Sequence, residues 1–127
     1  MPPSRDDICS AIESYVKHLG NHDVDALVAL FAEDAVQHEP LGVTSHRGTD
    51  AIRTFDTENA KVDFTVSLLS PITVNGRYAA TQLRVERAGM AAFAATDLFE
   101  FDDACRIVSL SVVIDPRALA GPAGVAE

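Results

Sequence analysis

The chain has 127 residues, 47% of them hydrophobic, so it is long enough for one domain with a core and too apolar to be disordered. Its 19 acidic and 10 basic side chains give a net charge of −9, which disfavours nucleic acid and anionic membranes as partners. The two cysteines are far apart, no apolar run approaches the roughly 20 residues of a membrane span, and the first residues lack a signal pattern, so we expect a cytoplasmic protein.

The first half of the chain has the patterning of helices. Ser4 can cap a first helix, whose apolar residues recur at steps of three and four and therefore share one face. These residues are Ile8, Ile12, Tyr15, Val16 and Leu19. Asp23 can cap a second helix with a buried stripe. That stripe comprises Val24, Leu27, Val28 and Phe31.

A short extended segment, 35–39, is predicted next, because Pro40 forces the residue before it out of helical space. Residues 42–48 are predicted to form a loop. A third short helix is predicted to start at Thr49 or Asp50 and to carry its apolar residues inward.

From Val62 onward, polar and apolar residues alternate with the period of two that is typical of half-buried strands. Asn75-Gly76 predicts a hairpin turn. The predicted strands cover 62–68, 72–74, 78–87, 90–101 and 106–114. Helices followed by hairpin-linked strands favour the α+β class, with the helices on one face of an antiparallel sheet. We predict a single domain over 1–127, with a core at about 4–114 and a loose tail at 115–127.

Three residues suggest proton-transfer chemistry next to a carbonyl group. Tyr15 lies in the apolar stripe of the first helix, Glu39 ends the short extended segment, and Asp97 interrupts an apolar strand. A carboxylate can remove a proton from carbon, while a phenol and a neutral acid can donate to the enolate oxygen that results.

Each of these residues also has a simpler explanation. Tyr15 is also explained as a core tyrosine, and Glu39 as a surface acid at a turn. Asp97 shares a strand face with aromatic and small residues, where its carboxyl would be protonated, although the opposite face is fairly apolar too. The residues on its own face are Phe93, Ala95, Phe99 and Phe101.

No other chemistry is indicated by the sequence. The four histidines lack metal-ligand spacing, so we expect no metal and place them at the surface or in loops. They are His18, His22, His38 and His46. The glycines form no phosphate loop, and we expect no cofactor.

Four segments of the chain resemble the bacterial ketosteroid (Δ5-3-ketosteroid) isomerases. This family belongs to the cone-shaped superfamily that includes nuclear transport factor 2 and the SnoaL-like cyclases. The segments are Tyr15-Val16, 23–35 (DVDALVALFAEDA), 39–42 (EPLG) and 47–55 (RGTDAIRTF). The resemblance covers most of 8–114 and implies helices packed on a curved antiparallel sheet.

The resemblance also implies roles for individual residues. It places the family's catalytic base on Glu39, its oxyanion tyrosine on Tyr15 and its protonated aspartic acid on Asp97, a family feature that is known independently. It makes Phe55, Phe99 and Ile114 candidate walls of a pocket for a 3-oxo steroid, and it implies a homodimer formed through the sheet.

Two positions depart from the family pattern. Glu39 stands where the family usually has aspartate, and Asp56 stands where studied members have a second tyrosine that supports the first. We therefore expect a shorter or different hydrogen-bond network behind Tyr15.

The residues leave three functions open. The first is a steroid Δ5-isomerase, and the second is a SnoaL-like cyclase or dehydratase acting on another polycyclic substrate. The third is a non-catalytic module that binds a ligand or forms a dimer, for which Asp97 would need no raised pKa.

Overall fold

In the computed structural model, which describes residues 1–117, 119–120 and 125–126, helices pack on a curved sheet. The predicted α+β class is confirmed. The helices are α1 (Arg5–Gly20), α2 (Val24–Val28) and α3 (Gly48–Ala60). The main sheet contains β1 (Phe31–His38), β2 (Ser45–Arg47), β3 (Phe64–Leu68), β4 (Thr73–Asn75), β5 (Tyr78–Arg87), β6 (Phe93–Phe101) and β7 (Ile107–Asp115).

The first helix begins where its cap predicts. The Ser4 hydroxyl accepts a hydrogen bond from the backbone N–H of Asp7 at 3.1 Å, which satisfies a donor that the first helical turn leaves free. Asp6 and Asp7 lie in that turn, where the helix dipole favours negative charge. The inward stripe of α1 is formed by Ile8, Ile12 and Tyr15.

The strand order of the main sheet is β2-β1-β7-β6-β5-β3, and β4 pairs with another part of β5. The β1–β7 pair is parallel and the others are antiparallel. In β6 the residues alternate between a buried inner face, which includes Asp97, and a more exposed outer face, which includes Leu98. This confirms the inward direction predicted for Asp97.

The core fills the space between the helices and the inner face of the sheet. Removing a large aliphatic or aromatic side chain from water contributes about 1.5–3 kcal/mol. The large side chains of the core that are 0% exposed are those of Ile8, Ile12, Ile52, Phe101, Ile107 and Leu110.

Several predicted boundaries were wrong. The second helix ends at Val28, and Phe31 starts β1 instead of continuing the helical stripe. The predicted loop over 42–48 contains the short strand β2. The hairpin is present, but Asn75 pairs with Tyr78, so the two turn residues are Gly76 and Arg77. Gly76 takes the positive φ of 63° that this tight turn requires.

The tail that we predicted to be loose contains a two-stranded ladder, in which β8 (Leu119–Ala120) pairs with β9 (Val125–Ala126). The backbone N–H of Leu119 donates to the carbonyl of Ala92 at 2.9 Å, which ties β8 to the start of β6. The rest of this prediction falls on 118, 121–124 and 127, outside the described residues. Among the described helices, none has the length and apolar character needed to cross a membrane.

Candidate active site

A cavity opens between α1, α3 and the inner face of the sheet. Its empty space is about 630 Å³, which includes the part open to solvent at its mouth. Its apolar wall is formed by Leu19, Phe55, Phe64, Val66, Leu83, Val85, Phe93, Ala95, Val112 and Ile114. Its polar groups come from Tyr15, Gln37, Glu39, Asp56, Asn59, Arg87 and Asp97.

Tyr15 is held at the cavity by aromatic packing. Its ring meets Phe99 edge-on at a centroid distance of 5.5 Å and Phe31 at 6.4 Å. Such arrangements match the positive ring edge to the negative ring face. Burial, followed by the charges of Asp97, Glu39 and Asp56, raises the pKa of Tyr15 well above 10.0, so its hydroxyl stays a donor.

Asp97 is 2% exposed, and its Oδ1 has no hydrogen-bond partner in the part of the chain that the structure describes. Burial, and then the nearby charge of Glu39, raise the pKa of Asp97 well above 3.8. This environment favours the protonated form of the carboxyl, which can donate a hydrogen bond.

Glu39 follows the last residue of β1 and is half-buried. Burial raises the pKa of Glu39 above 4.5, while a hydrogen bond from Gln37 lowers it. In that bond Gln37 Nε2 donates to Glu39 Oε1 at 2.9 Å. Because Gln37 is 1% exposed, its amide has little freedom, and the bond fixes one oxygen of the carboxylate.

Asp56 adds a fourth ionisable group to the cavity. It lies one helical turn after Ile52 on the inward face of α3, is 5% exposed, and its Oδ2 lacks a partner among the described residues. Burial and the charge of Glu39 raise the pKa of Asp56 to about 7, although Arg53 opposes the shift.

The charges of these four groups affect one another's pKa values. The charge of Glu39 raises the pKa of both Asp56 and Asp97, but neither aspartate contributes to the shift of the other. Asp97 contributes more than Glu39 or Asp56 to the shift of Tyr15. The protonation state of Glu39 therefore affects the pKa of the other three groups.

The structure brings together all three predicted proton-transfer residues, Tyr15, Glu39 and Asp97, on one cavity. Of the three predicted wall residues, Phe55 and Ile114 line the cavity, whereas Phe99 lies in the core behind Tyr15 and stacks on Phe101.

Two of the histidines do not line the cavity themselves but contact residues that do. His46 stacks on Phe55 with ring centroids 4.3 Å apart, and His22 bonds backbone carbonyl groups of Ala60 and Phe64. In the described ranges, no group of three or more His, Cys, Asp or Glu side chains is arranged to hold a metal ion.

Sequence analysis did not assign Gln37 or Asp56 to the site. The period of two in the strand indicates Gln37, because Ala35, Gln37 and Glu39 occupy every second position and therefore lie on one side of the chain. For Asp56 the signal was its spacing of four from Ile52 on the inward face of α3. Asp56 is also one of the two positions at which the chain departs from the resembled family.

The family assignment comes from comparison with known proteins. The SnoaL-like domain family matches residues 12–110, which is most of the chain and includes Tyr15, Glu39, Asp56 and Asp97. The chain belongs to the SnoaL-like domain family.

A solved structure shares the fold of this SnoaL-like domain. It is SalBIII, described as an epoxide hydrolase/cyclase-like enzyme with a role in pyran ring formation in the polyether salinomycin. The two structures align with a TM-score of 0.79 at 21% identity, over 88% of this chain and 93% of SalBIII. At this identity the likeness establishes the fold of the SnoaL-like domain, not its reaction.

Proposed function

We propose that this SnoaL-like domain is a cofactor-independent steroid Δ5-isomerase, which moves the double bond of a Δ5-3-ketosteroid into conjugation with the ketone. The observation that supports this most strongly is the convergence of Tyr15, Glu39 and Asp97 on one largely apolar cavity. Such an isomerisation needs one base to carry a proton and fixed donors for an oxygen that becomes negative.

The reaction follows from the roles of these groups. Ionised Glu39 removes a proton from C4, and the electron pair moves onto the C3 oxygen to form a dienolate. Tyr15 and neutral Asp97 donate hydrogen bonds to that oxygen. Glu39 then returns its proton to C6, which gives the Δ4 enone and restores the carboxylate. No net proton and no electron enters or leaves the site.

The raised pKa values suit these roles. Tyr15 and Asp97 remain protonated because burial disfavours their charged forms, and Glu39 is the acid that a hydrogen bond from Gln37 helps to ionise. Donors held in an apolar site need not reorganise as charge develops, and one such donor contributes about 2.7–4 kcal/mol to the transition state.

The cavity wall supports a small hydrophobic substrate such as a 3-oxo steroid. Phe55 and Ile114 are the predicted wall residues that line it, and most of the remaining wall is aliphatic or aromatic. The proposal also includes a homodimer formed through the outer face of the sheet, a cytoplasmic location, and no part for nucleic acid, membrane or a metal ion.

The proposed isomerase activity is tested with 5-androstene-3,17-dione and a conjugated-enone absorbance assay. We expect the wild-type protein to form the enone. The rate should be at least about 100-fold lower in Glu39→Gln, since general-base catalysis contributes roughly 10²–10⁴-fold. Glu13→Gln, which removes an exposed acid of α1, is the matched control and should retain the wild-type rate. Absence of enone with the wild-type protein would refute the isomerase function.

The second candidate function is a cyclase acting on another polycyclic substrate. It is favoured by the SnoaL-like domain match and by the shared fold with SalBIII, an epoxide hydrolase/cyclase-like enzyme. A cyclase would use Glu39 as base but leave 5-androstene-3,17-dione unchanged, so the same assay separates the two candidates.

A further inference from the structure

Arg87 of β5 is the one cationic side chain on the cavity wall, within the part of the chain that the structure describes. The proposed isomerisation needs a base and two donors, so it gives Arg87 no role. The other ionisable groups on the wall are acids, namely Tyr15, Glu39, Asp56 and Asp97. An arginine in a cavity that is otherwise acidic or apolar indicates a ligand with an anionic group.

The guanidinium of Arg87 is available to such a ligand. Arg87 is half-buried and forms no ion pair with any described residue. The next residue back along the strand, Glu86, lies on the opposite face of β5, 3.7 Å from Arg84. The exposed acid Glu58, near the end of α3, pairs with Lys61 at 3.0 Å.

The strand register separates Arg87 from the proposed oxyanion donor Asp97. On β5, Thr81 pairs with Asp97 of β6, and Arg87 pairs with Phe64 of β3. The six steps from Thr81 to Arg87 span roughly 20 Å, at about 3.3 Å for each residue of a strand. Arg87 and Asp97 therefore lie at different ends of the cavity that both of them line.

The proposed base, Glu39, is attached at the Asp97 end. The backbone N–H of Leu41, two residues after Glu39, donates to the carbonyl of Val112 at 2.8 Å. Val112 is the register partner of Asp97 on β7. The groups proposed for proton transfer thus occupy one end of the cavity.

The cavity is closed at the Asp97 end and opens in the direction of Arg87. On β7, Val112 is buried, whereas Ile114, one register step nearer to the level of Arg87, is exposed. On β5, Thr81 is buried and Arg87 is half-buried. A long ligand whose ketone lies at the closed end would therefore extend its other end towards Arg87.

We propose that Arg87 binds a carboxylate at the far end of the substrate, and that the substrate class is a 3-oxo steroid acid. This inference rests on the isomerase function proposed above. The fused rings of a steroid are shorter than the span from Asp97 to Arg87, so a carboxylated side chain on the last ring would bridge the remainder. A guanidinium binds a carboxylate through two parallel N–H donors.

The experiment compares 3-oxochol-5-en-24-oic acid with its methyl ester, which has the same rings and side chain but no charge. Enone formation from each is measured with the wild-type protein, Arg87→Gln and Arg87→Lys. Lys61→Gln is the matched control, because it removes an exposed cation just after α3 that does not line the cavity.

We expect the wild-type protein to have a higher kcat/KM for the acid than for the ester. Arg87→Gln should lower the acid-to-ester ratio about 10-fold or more, the scale of a lost charge-assisted hydrogen bond. The change should appear in KM and not in kcat, since Arg87 contacts the substrate far from the reacting carbons. Arg87→Lys should recover part of the ratio, and Lys61→Gln should keep the wild-type ratio.

Binding is measured separately from turnover by isothermal titration calorimetry. The ligands are the conjugated product, 3-oxochol-4-en-24-oic acid, its methyl ester, and testosterone 17-sulfate, whose anion is attached directly to the last ring. We expect the acid to bind the wild-type protein more tightly than either of the others. In Arg87→Gln the acid should lose its advantage over the ester.

The outcomes separate this inference from the isomerase function. Equal kcat/KM and equal affinity for acid and ester, or an unchanged ratio in Arg87→Gln, would overturn the role of Arg87 even in a protein that isomerises 5-androstene-3,17-dione. Tighter binding of testosterone sulfate than of the acid would overturn the carboxylated side chain. Binding of the acid that depends on Arg87, in a protein that isomerises no Δ5 ketone, would refute the isomerase function and leave the carboxylate site standing.

Discussion

Tyr15 carries its hydroxyl on a ring that neighbouring aromatic residues hold in place. Phe99 and Phe31 meet it edge-on, and the residue is 3% exposed. Loss of the hydroxyl alone should therefore leave the packing of α1 on the sheet unchanged. Tyr15 is therefore the cleanest position at which to measure one donor of the proposed oxyanion hole.

Tyr15→Phe should lower kcat for the Δ5-3-ketosteroid by roughly 10²-fold or more, the cost of removing one oxyanion donor. Asp97→Ala should have an effect of the same size. Tyr78→Phe is the matched control, since Tyr78 is the other tyrosine of the chain and is 57% exposed on the outer side of β5. Wild-type turnover in both Tyr15→Phe and Asp97→Ala would contradict the donor assignment.

In the proposed reaction, Gln37 positions the base Glu39. Gln37→Leu removes the hydrogen bond to Glu39 Oε1 and leaves burial as the dominant effect on the carboxyl, so the pKa of Glu39 should rise. The acidic limb of the profile of kcat/KM against pH should move to higher pH. Gln82→Leu, on the exposed face of β5, should leave that limb in place. An acidic limb that stays unmoved in Gln37→Leu would exclude this role.

At the scale of elements, His22 links the end of α1 to α3 and β3. Its Nδ1 lies 2.9 Å from the carbonyl oxygen of Ala60 and its Nε2 lies 3.1 Å from that of Phe64. Both partners are acceptors, so both ring nitrogens must carry protons, and the imidazolium is the form that satisfies the contact. These two bonds raise the pKa of His22 above its ordinary 6.5.

The folded state therefore binds a proton at His22 more tightly than the unfolded chain. The stability that this contributes is fully present below pH 6.5 and is lost as the pH rises through the folded pKa. Asp56, whose pKa rises from 3.8 to about 7 on folding, also reduces stability as the pH rises across that range. The effect of His22 is therefore measured as the difference in the pH dependence of Tm between a His22 variant and the wild-type protein.

Tm should fall as the pH rises above about 6.5, in part because His22 loses its proton. His22→Asn should abolish that part of the fall. Asparagine tolerates the positive φ of 58° at this position, so the backbone should not change. His38→Asn is the control, because His38 bonds the hydroxyl of Ser45 far from this junction. Identical pH dependence of Tm in His22→Asn and wild type would show that the link is not charged.

At the scale of the whole molecule, the outer face of the sheet exposes apolar side chains that the helices do not cover. Leu98 of β6 is 43% exposed and Val113 of β7 is 47% exposed, and the strand register places them on the same face. A second copy of the chain would bury this face, as expected for the homodimer in the proposal.

Leu98→Arg should weaken a dimer formed through this face, because it would bury an unpaired charge against an identical surface. Sedimentation velocity or light scattering at micromolar protein concentration should show a shift from dimer to monomer. Met90→Lys, in the turn before β6, should keep the wild-type state, since Met90 lies outside the sheet face. A monomeric wild-type protein would refute the homodimer.

The sequence predicted most of the fold from local pattern. The cap at Ser4, the inward stripe of α1 and the extent of β5 agree with the structure, because residues close in sequence determine them. The predicted boundaries of helices and strands were wrong where tertiary contacts overrode the local preference of the sequence. Phe31 continues a helical stripe in sequence, but the chain there joins the sheet as β1.

The sequence by itself determined which side chains share a face, since the periods of 3.6 and two group Tyr15 with the apolar stripe of α1 and Asp97 with the aromatic side chains of β6. Tertiary structure alone decided that they meet Glu39, Gln37 and Asp56 around one cavity. It also decided their pKa shifts. The physical reason is that burial and charge coupling depend on distances between α1, α3, β1 and β6, and these distances exist only once the elements pack together.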